Sequence, residues 1–391
     1  MDRNKKWRGL AVAAACAASA LSASRPGPTA RAASPLRECI VKTAQALGFS
    51  GVISVVRAAG GATYAQGLTD GPGSAPIGAG TPFNLGSTGK MFTAVAVAQL
   101  IDAGAIKLDD PIGRHVAGLT AEASAVTVRQ LLDHSSGLGN CFAPENLPAL
   151  IKARSAIDLL PLAANDKPAF APGSRFSYSD TGFLLLGLMI ERVSGRSYGD
   201  YLRDHVFEPA RMTATSLQPP PEPARAVGMT SMPPMTPGRP MLLAPGAAEP
   251  GRGALRPAQE AALWGGPAGG AFSTAGDMQR FFAALLAGKL TSAASLKMLV
   301  SPQIVAAQAS PGQAEGDYGF GFGVGRFDGH RWFGHNGGAP GVNAEATAFP
   351  DDQTAIVVLA DRDPPAATAV FRQLRAAIFE PAAGKLCGLR H

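Results

Sequence analysis

The chain has 391 residues, of which 46% are hydrophobic and only 16% charged. That composition excludes a disordered or nucleic-acid-coating protein and suffices for one large core or two moderate ones. The formal charge is +6, but Arg3, Lys5, Lys6 and Arg8 against Asp2 concentrate half of it at the start, so the remainder has little to attract a polyanion.

In chain order, those basic residues precede the apolar run Leu10 to Ala15 and Ala-x-Ala-like sites ending near Ala23 and Ala32. This is the pattern of an export signal. Residues 1–33 are expected to be a signal peptide and leader, and the protein to be periplasmic or secreted. No segment offers the roughly 20 apolar residues a membrane span needs. In an oxidising compartment Cys39 and Cys387 are candidates for a disulfide tying the two ends, with free thiols at Cys39, Cys141 and Cys387 as the alternative.

Leu36 to Leu47 reads as a helix stopped by Gly48, followed by a buried strand over Gly51–Arg57 and a hairpin partner over Ala62–Gln66. An apolar helix then carries Ser87 and Lys90 and ends at Gly104. Asp109-Asp110-Pro111 opens a mostly helical region, with a short helix from Thr127, an apolar one over Leu184–Val193 and another over Tyr198–Phe207. Eleven of the 32 prolines fall in 218–257, which reads as a long irregular loop. A helix capped by Ser273-Thr274 follows. Strands are predicted over Tyr318–Phe327, Arg331–His335, Ala344–Phe349 and Thr354–Ala360, then a last helix over Pro365–Phe379. The expected fold is α+β: an antiparallel sheet flanked by N- and C-terminal helices, built from 36–110 and 271–391, with an all-α insertion over 111–270.

Ser87 and Lys90, three residues apart, would share one face of a helix, and a lysine beside a serine can make a nucleophile without a histidine. Competing motifs fail. A phosphate loop needs glycine five residues before Gly89 and a hydroxyl residue after Lys90, where Asn84 and Met91 stand. No Gly-x-Ser-x-Gly surrounds Ser87. The six histidines show no zinc-ligand spacing, so no metal or other cofactor is expected. Tyr178, in Phe176-Ser177-Tyr178-Ser179-Asp180-Thr181-Gly182, could relay a proton between nucleophile and leaving group, or could be a surface tyrosine with Asp180 capping the next helix. Gly334-His335-Asn336-Gly337-Gly338, at a strand end, could admit a substrate to backbone N–H groups or be an ordinary turn.

Together these segments resemble the serine β-lactamase and penicillin-binding-protein superfamily, in its class C β-lactamase, DD-peptidase and esterase branch. Ser87-Thr88-Gly89-Lys90 matches Ser-x-x-Lys, Tyr178-Ser179-Asp180 is similar to Tyr-x-Asn, and His335-Asn336-Gly337 is similar to the Lys-Thr-Gly position, in that order. Leu131 to Leu138 and Gly269 to Thr274 also resemble family segments. The resemblance implies Ser87 as the acylated nucleophile, Lys90 as its activator, Tyr178 as proton shuttle, and His335 as added polarity or positive charge beside the tyrosine. It further implies an oxyanion hole from the Ser87 and Gly338 N–H groups, and substrate contacts from Asp180, Asn336 and Gly337. Lys90 should be buried against Tyr178 beside a cationic neighbour. An alternative register, Ser179-Asp180-Thr181 as a Ser-Asp-Asn-like motif, would leave Tyr178 without a role.

Two departures bear on function. Asp180 stands where the family has asparagine, and His335 removes the permanent cation that would attract a substrate carboxylate. The expectation is therefore a hydrolase acting on an amide or ester of a small molecule or peptide, an esterase or D-amino-acid peptidase ahead of a true β-lactamase. The rival is a penicillin-binding-protein-like module that binds or is slowly acylated without turnover.

Overall fold

A computed structural model describes residues 34–70, 73–233, 254–258, 265–305 and 316–387. The expected signal and leader, and half of the proline-rich stretch (234–253), lie outside the described residues. Helix α1, Pro35–Ala46, starts with the Ser34 hydroxyl accepting the Arg37 N–H and proline in its first turn, where the missing donor costs nothing. It leads into β1, Gly51–Arg57, and β2, Gly60–Gln66. Helix α2, Lys90–Asp102, follows a 3-10 turn over Gly86–Gly89. Helix α3, Val128–Leu132, carries the Thr127–Gln130 capping box. Helix α4, Asp180–Ser194, is capped by Ser179, whose hydroxyl accepts the Gly182 N–H. Asp180 is thus not the cap that the sequence offered.

Helix α5, Ala275–Leu286, capped by Thr274, precedes the second half of the sheet. That half comprises β3 Asp317–Tyr318, β4 Gly323–Phe327, β5 His330–Ala339, β6 Val342–Phe349 and β7 Thr354–Ala360, followed by helix α6, Ala366–Phe379. The seven strands pair antiparallel in the order β2-β1-β7-β6-β5-β4-β3. The strand predicted over Tyr318–Phe327 is in fact two. Gly321 at φ +75° turns the chain between them, and a Cβ on Gly319 would lie 2.3 Å from the Leu299 carbonyl. The break leaves Tyr318 at the sheet edge, facing the helical region. Strand β5 also runs four residues beyond its predicted end, so His335 to Gly338 lie within a strand.

Side-chain alternation divides the core in two. Ile53, Val55, Ile356 and Val358 pack with α1 and α6 residues such as Ile40, Val370 and Leu374. Val52, Ala346, Val357 and Leu359 face the other way, into a larger cluster that takes in Val95, Leu131, Leu185 and Phe281. Covered on both faces, β7 is buried throughout, which explains its unbroken apolar run. Phe92 meets Phe207 and Phe281 edge to face, at 5.2 and 5.1 Å between centroids, each contact adding about 0.5–1.5 kcal/mol beyond burial.

Cys39 and Cys387 are joined in a disulfide between α1 and the chain end, while Cys141 is free and buried. No helix among the described residues is long and apolar enough to cross a membrane.

Candidate active site

The 3-10 turn decides how Ser87 meets Lys90. With three residues per turn, side chains at i and i+3 eclipse. Ser87 lies in that turn and Lys90 opens α2, which puts the ammonium 3.2 Å from the Ser87 hydroxyl. The turn itself is held by close approach of three segments. Gly86 sits at φ +50°, and a Cβ there would be 3.0 Å from the Gly338 nitrogen. A Cβ on Gly337 would be 2.0 Å from the Leu85 carbonyl and 3.0 Å from the Ser87 nitrogen. Gly337 therefore serves packing of β5 against the nucleophile turn. The two expected oxyanion donors, Ser87 and Gly338, belong to this same contact.

Lys90 is fully buried, and its amine has three oxygen partners. These are Ser87 Oγ, Asp180 Oδ1 at 2.6 Å, and the Ala268 carbonyl from the glycine-rich segment. It also lies 4.8 Å from the centre of the Tyr178 ring. Burial against Tyr178 is as expected; the cationic neighbour is not. The neighbour is the Asp180 carboxylate, whose side chain is 11% exposed. A desolvated ammonium demands a counter-charge, and Asp180 is committed to that role, turned from the place of a substrate ligand.

Tyr178 stands in the loop ahead of α4 with its hydroxyl buried and, among the described residues, without a partner of full hydrogen-bond geometry. Burial, then the Asp180 carboxylate, pushes its phenol well above the ordinary range, with the nearby Ser87 hydroxyl offsetting part of the rise.

His335, on β5, differs from the expectation of positive charge. Burial and the Lys90 charge push its imidazole down to about 3, so it is neutral at physiological pH. Both nitrogens are engaged: Nε2 lies 2.8 Å from Tyr318 Oη and Nδ1 2.5 Å from the Asn336 carbonyl. Asn336 lies opposite Glu345 in the β5–β6 register, half-buried.

The sequence reading missed two members of this site. His134 follows α3 at φ +59°, a left-handed position that histidine tolerates better than most residues. It turns the ring back over Tyr178, at 4.2 Å between centroids. Its other face meets Tyr318, whose hydroxyl lies 3.2 Å from His134 Nε2. The segment containing His134 stood out in the sequence, but nothing there showed where the imidazole points. Tyr318 carried no signal beyond heading a predicted strand. Among the described residues no cluster of side chains could hold a metal ion.

A family model described as Beta-lactamase matches residues 36–379. The chain belongs to the β-lactamase family. Penicillin-binding protein 4* of Bacillus subtilis is 33% identical over 144 residues, 36% of this chain and 31% of that protein. The match thus spans under a third of that relative's length. Among solved structures, a penicillin binding protein from Bacillus halodurans is 26% identical with a TM-score of 0.73, covering 86% of this chain and 98% of that one. A D-stereospecific amidohydrolase from a Streptomyces species is 25% identical with a TM-score of 0.69, covering 88% and 98%. The fold around Ser87 and Lys90 is the family's fold.

Proposed function

We propose that this protein is an exported serine hydrolase that cleaves an amide or ester through an acyl-Ser87 intermediate, as an esterase or D-amino-acid peptidase ahead of a β-lactamase. The observation that carries this reading is the set of three oxygens around the Lys90 amine. Asp180 and the Ala268 carbonyl only accept, so each takes one N–H of the Lys90 ammonium, and the third N–H faces Ser87 Oγ. Acylation starts when the ammonium gives one proton to the Asp180 carboxylate and the amine turns its lone pair to the Ser87 O–H. When Lys90 takes that proton, its three N–H groups are paired with the same three oxygens again.

Ser87 Oγ then attacks the substrate carbonyl carbon, and the negative oxygen that develops is received by the Ser87 and Gly338 N–H groups. Losing one such donor typically costs about 10²–10³ in rate. The proton returns to the leaving group by way of Tyr178 as the carbonyl–heteroatom bond breaks, and water releases the acid. The preference over β-lactamase activity rests on neutral His335, which offers no cation to a substrate carboxylate. The amidohydrolase among the structural neighbours supports an amide substrate. Export is supported by the signal-like start of the chain and by the Cys39–Cys387 disulfide, a bond that persists in oxidising compartments.

The test treats wild-type protein and Ser87→Ala with a fluorophosphonate and a fluorescent penicillin, then assays an aryl ester, a chromogenic cephalosporin and a D-Ala-D-Ala peptide. Labelling should be confined to wild type, with turnover on the ester or peptide. Labelling that persists in Ser87→Ala would overturn the nucleophile. Labelling without turnover on any substrate would instead indicate a penicillin-binding-protein-like module, a reading favoured by the Tyr178 phenol, which burial and the Asp180 carboxylate make hard to ionise. For export, the mass of the chain recovered from cell fractions should show loss of a segment ending near Ala23 or Ala32, within residues 1–33.

A further inference from the structure

The hydrogen bonds that join His134, Tyr318 and His335 have only one consistent direction. At one end the Ser179 N–H, which can only donate, lies 3.0 Å from His134 Nδ1. Nδ1 is therefore bare, and a neutral His134 carries its proton on Nε2 and gives it to Tyr318 Oη. The Tyr318 O–H is then free to point only at His335 Nε2. That nitrogen must be bare in turn, so His335 carries its proton on Nδ1. It ends the chain on the Asn336 carbonyl, which can only accept. A backbone donor and a backbone acceptor thus impose the same direction from opposite ends.

The two ends lie on opposite walls of the site. Ser179 sits between Tyr178 and Asp180, and Asn336 immediately precedes Gly337 and Gly338 on β5. His134, Tyr318 and His335 are all buried, and the groups facing them are Lys90, Tyr178, Asp180 and Asp133.

We propose that Tyr318 is a positioning residue for acylation of Ser87: its hydroxyl locks His134 and His335 each into one neutral tautomer and so braces the Tyr178 loop against the oxyanion strand. Burial and the Lys90 charge already hold both imidazoles below their ordinary range. The Tyr318 O–H adds to this at His335, because a donor aimed at a ring nitrogen competes with the proton that would charge it. With Tyr318 replaced by phenylalanine, His335 Nε2 is an unsatisfied buried acceptor and His134 Nε2–H an unsatisfied buried donor. Either imidazole can then take its other tautomer, next to Lys90 and Tyr178. The acylation reading is the one given above; the lock stands on the hydrogen-bond geometry.

The test has two independent readouts on the whole protein. In the first, the ¹⁵N signals of the wild-type histidines at neutral pH should report His134 protonated on Nε2 and His335 on Nδ1, with His335 not charging down to about pH 5. The opposite tautomer at either histidine, or exchange between the two, would overturn the proposal whatever becomes of the enzyme activity. The second readout compares fluorophosphonate labelling and the histidine ¹⁵N signals of wild type and Tyr318→Phe at neutral pH. The variant should label about tenfold more slowly, with His134 or His335 exchanging between its two tautomers. An unchanged labelling rate, or a slower one with both wild-type tautomers kept, would reduce Tyr318 to a packing residue and refute the lock. If Tyr318→Phe fails to fold, the wild-type tautomers still decide.

Discussion

Removing one member of the Lys90–Asp180 pair should cost far more than removing both. Lys90 has no exposed side-chain surface, Asp180 has 11%, and the charged atoms are 2.6 Å apart. In Asp180→Ala the ammonium keeps only the Ser87 hydroxyl and the Ala268 carbonyl. In Lys90→Met the carboxylate is stranded instead. Breaking a buried pair from one side costs about 3–5 kcal/mol, whereas replacing both partners by apolar groups is often close to neutral. The two single variants should therefore each lose about 3–5 kcal/mol, and Lys90→Met/Asp180→Ala should lose less than either, falling short of their sum by at least about 3 kcal/mol. Urea unfolding of the four proteins measures this, provided the slope with denaturant is common to all. A coupling under about 0.5 kcal/mol, the value of an exposed pair, would refute the buried ion pair. The description of Lys90 in the mechanism would go with it.

Two further outcomes follow from buried groups outside the cleft. Burial pushes the Glu345 carboxyl up to about 7 from an ordinary 4.5, against the pull of the Thr368 hydroxyl, Arg372 and Arg375. Here the native protein keeps a proton that the unfolded chain has already lost. Stability is therefore full below the unfolded value and declines as pH rises through the folded one, by about 3 kcal/mol in all. Glu345→Gln should remove most of that decline between about pH 5 and pH 8, and equal slopes for variant and wild type would sink the argument. The Cys39–Cys387 disulfide, with a sequence separation of 348, closes nearly the whole described chain. Cys39→Ser should cost up to about 5 kcal/mol on the loop-entropy model. Thermal unfolding with and without reductant measures the effect, and an unchanged midpoint in wild type on reduction would argue against a bond that matters.

Much of the architecture was legible from periodicity and punctuation. Strand β7 has the boundaries its unbroken apolar run predicted, because a strand covered on both faces must be apolar throughout. The Thr127 and Thr274 caps, and the stops at Gly48 and Gly104, were readable because a helix end needs a side-chain acceptor or a residue at positive φ, and few residue types supply either. The break between β3 and β4 was not readable. It depends on the Leu299 carbonyl crowding Gly319 from a segment distant in sequence.

The same division runs through the site. The sequence by itself determined that Ser87 and Lys90 meet, since they are local and any helical turn brings residues three apart together. It also determined the order of the segments that come to meet them. Only the tertiary structure decided what those segments do there. Whether Asp180 touches substrate or Lys90, and whether His335 is a cation or a neutral link to Tyr318, depends on which groups share its desolvated space. Charge state in a buried site is set by neighbours from other elements, and a linear pattern does not contain them.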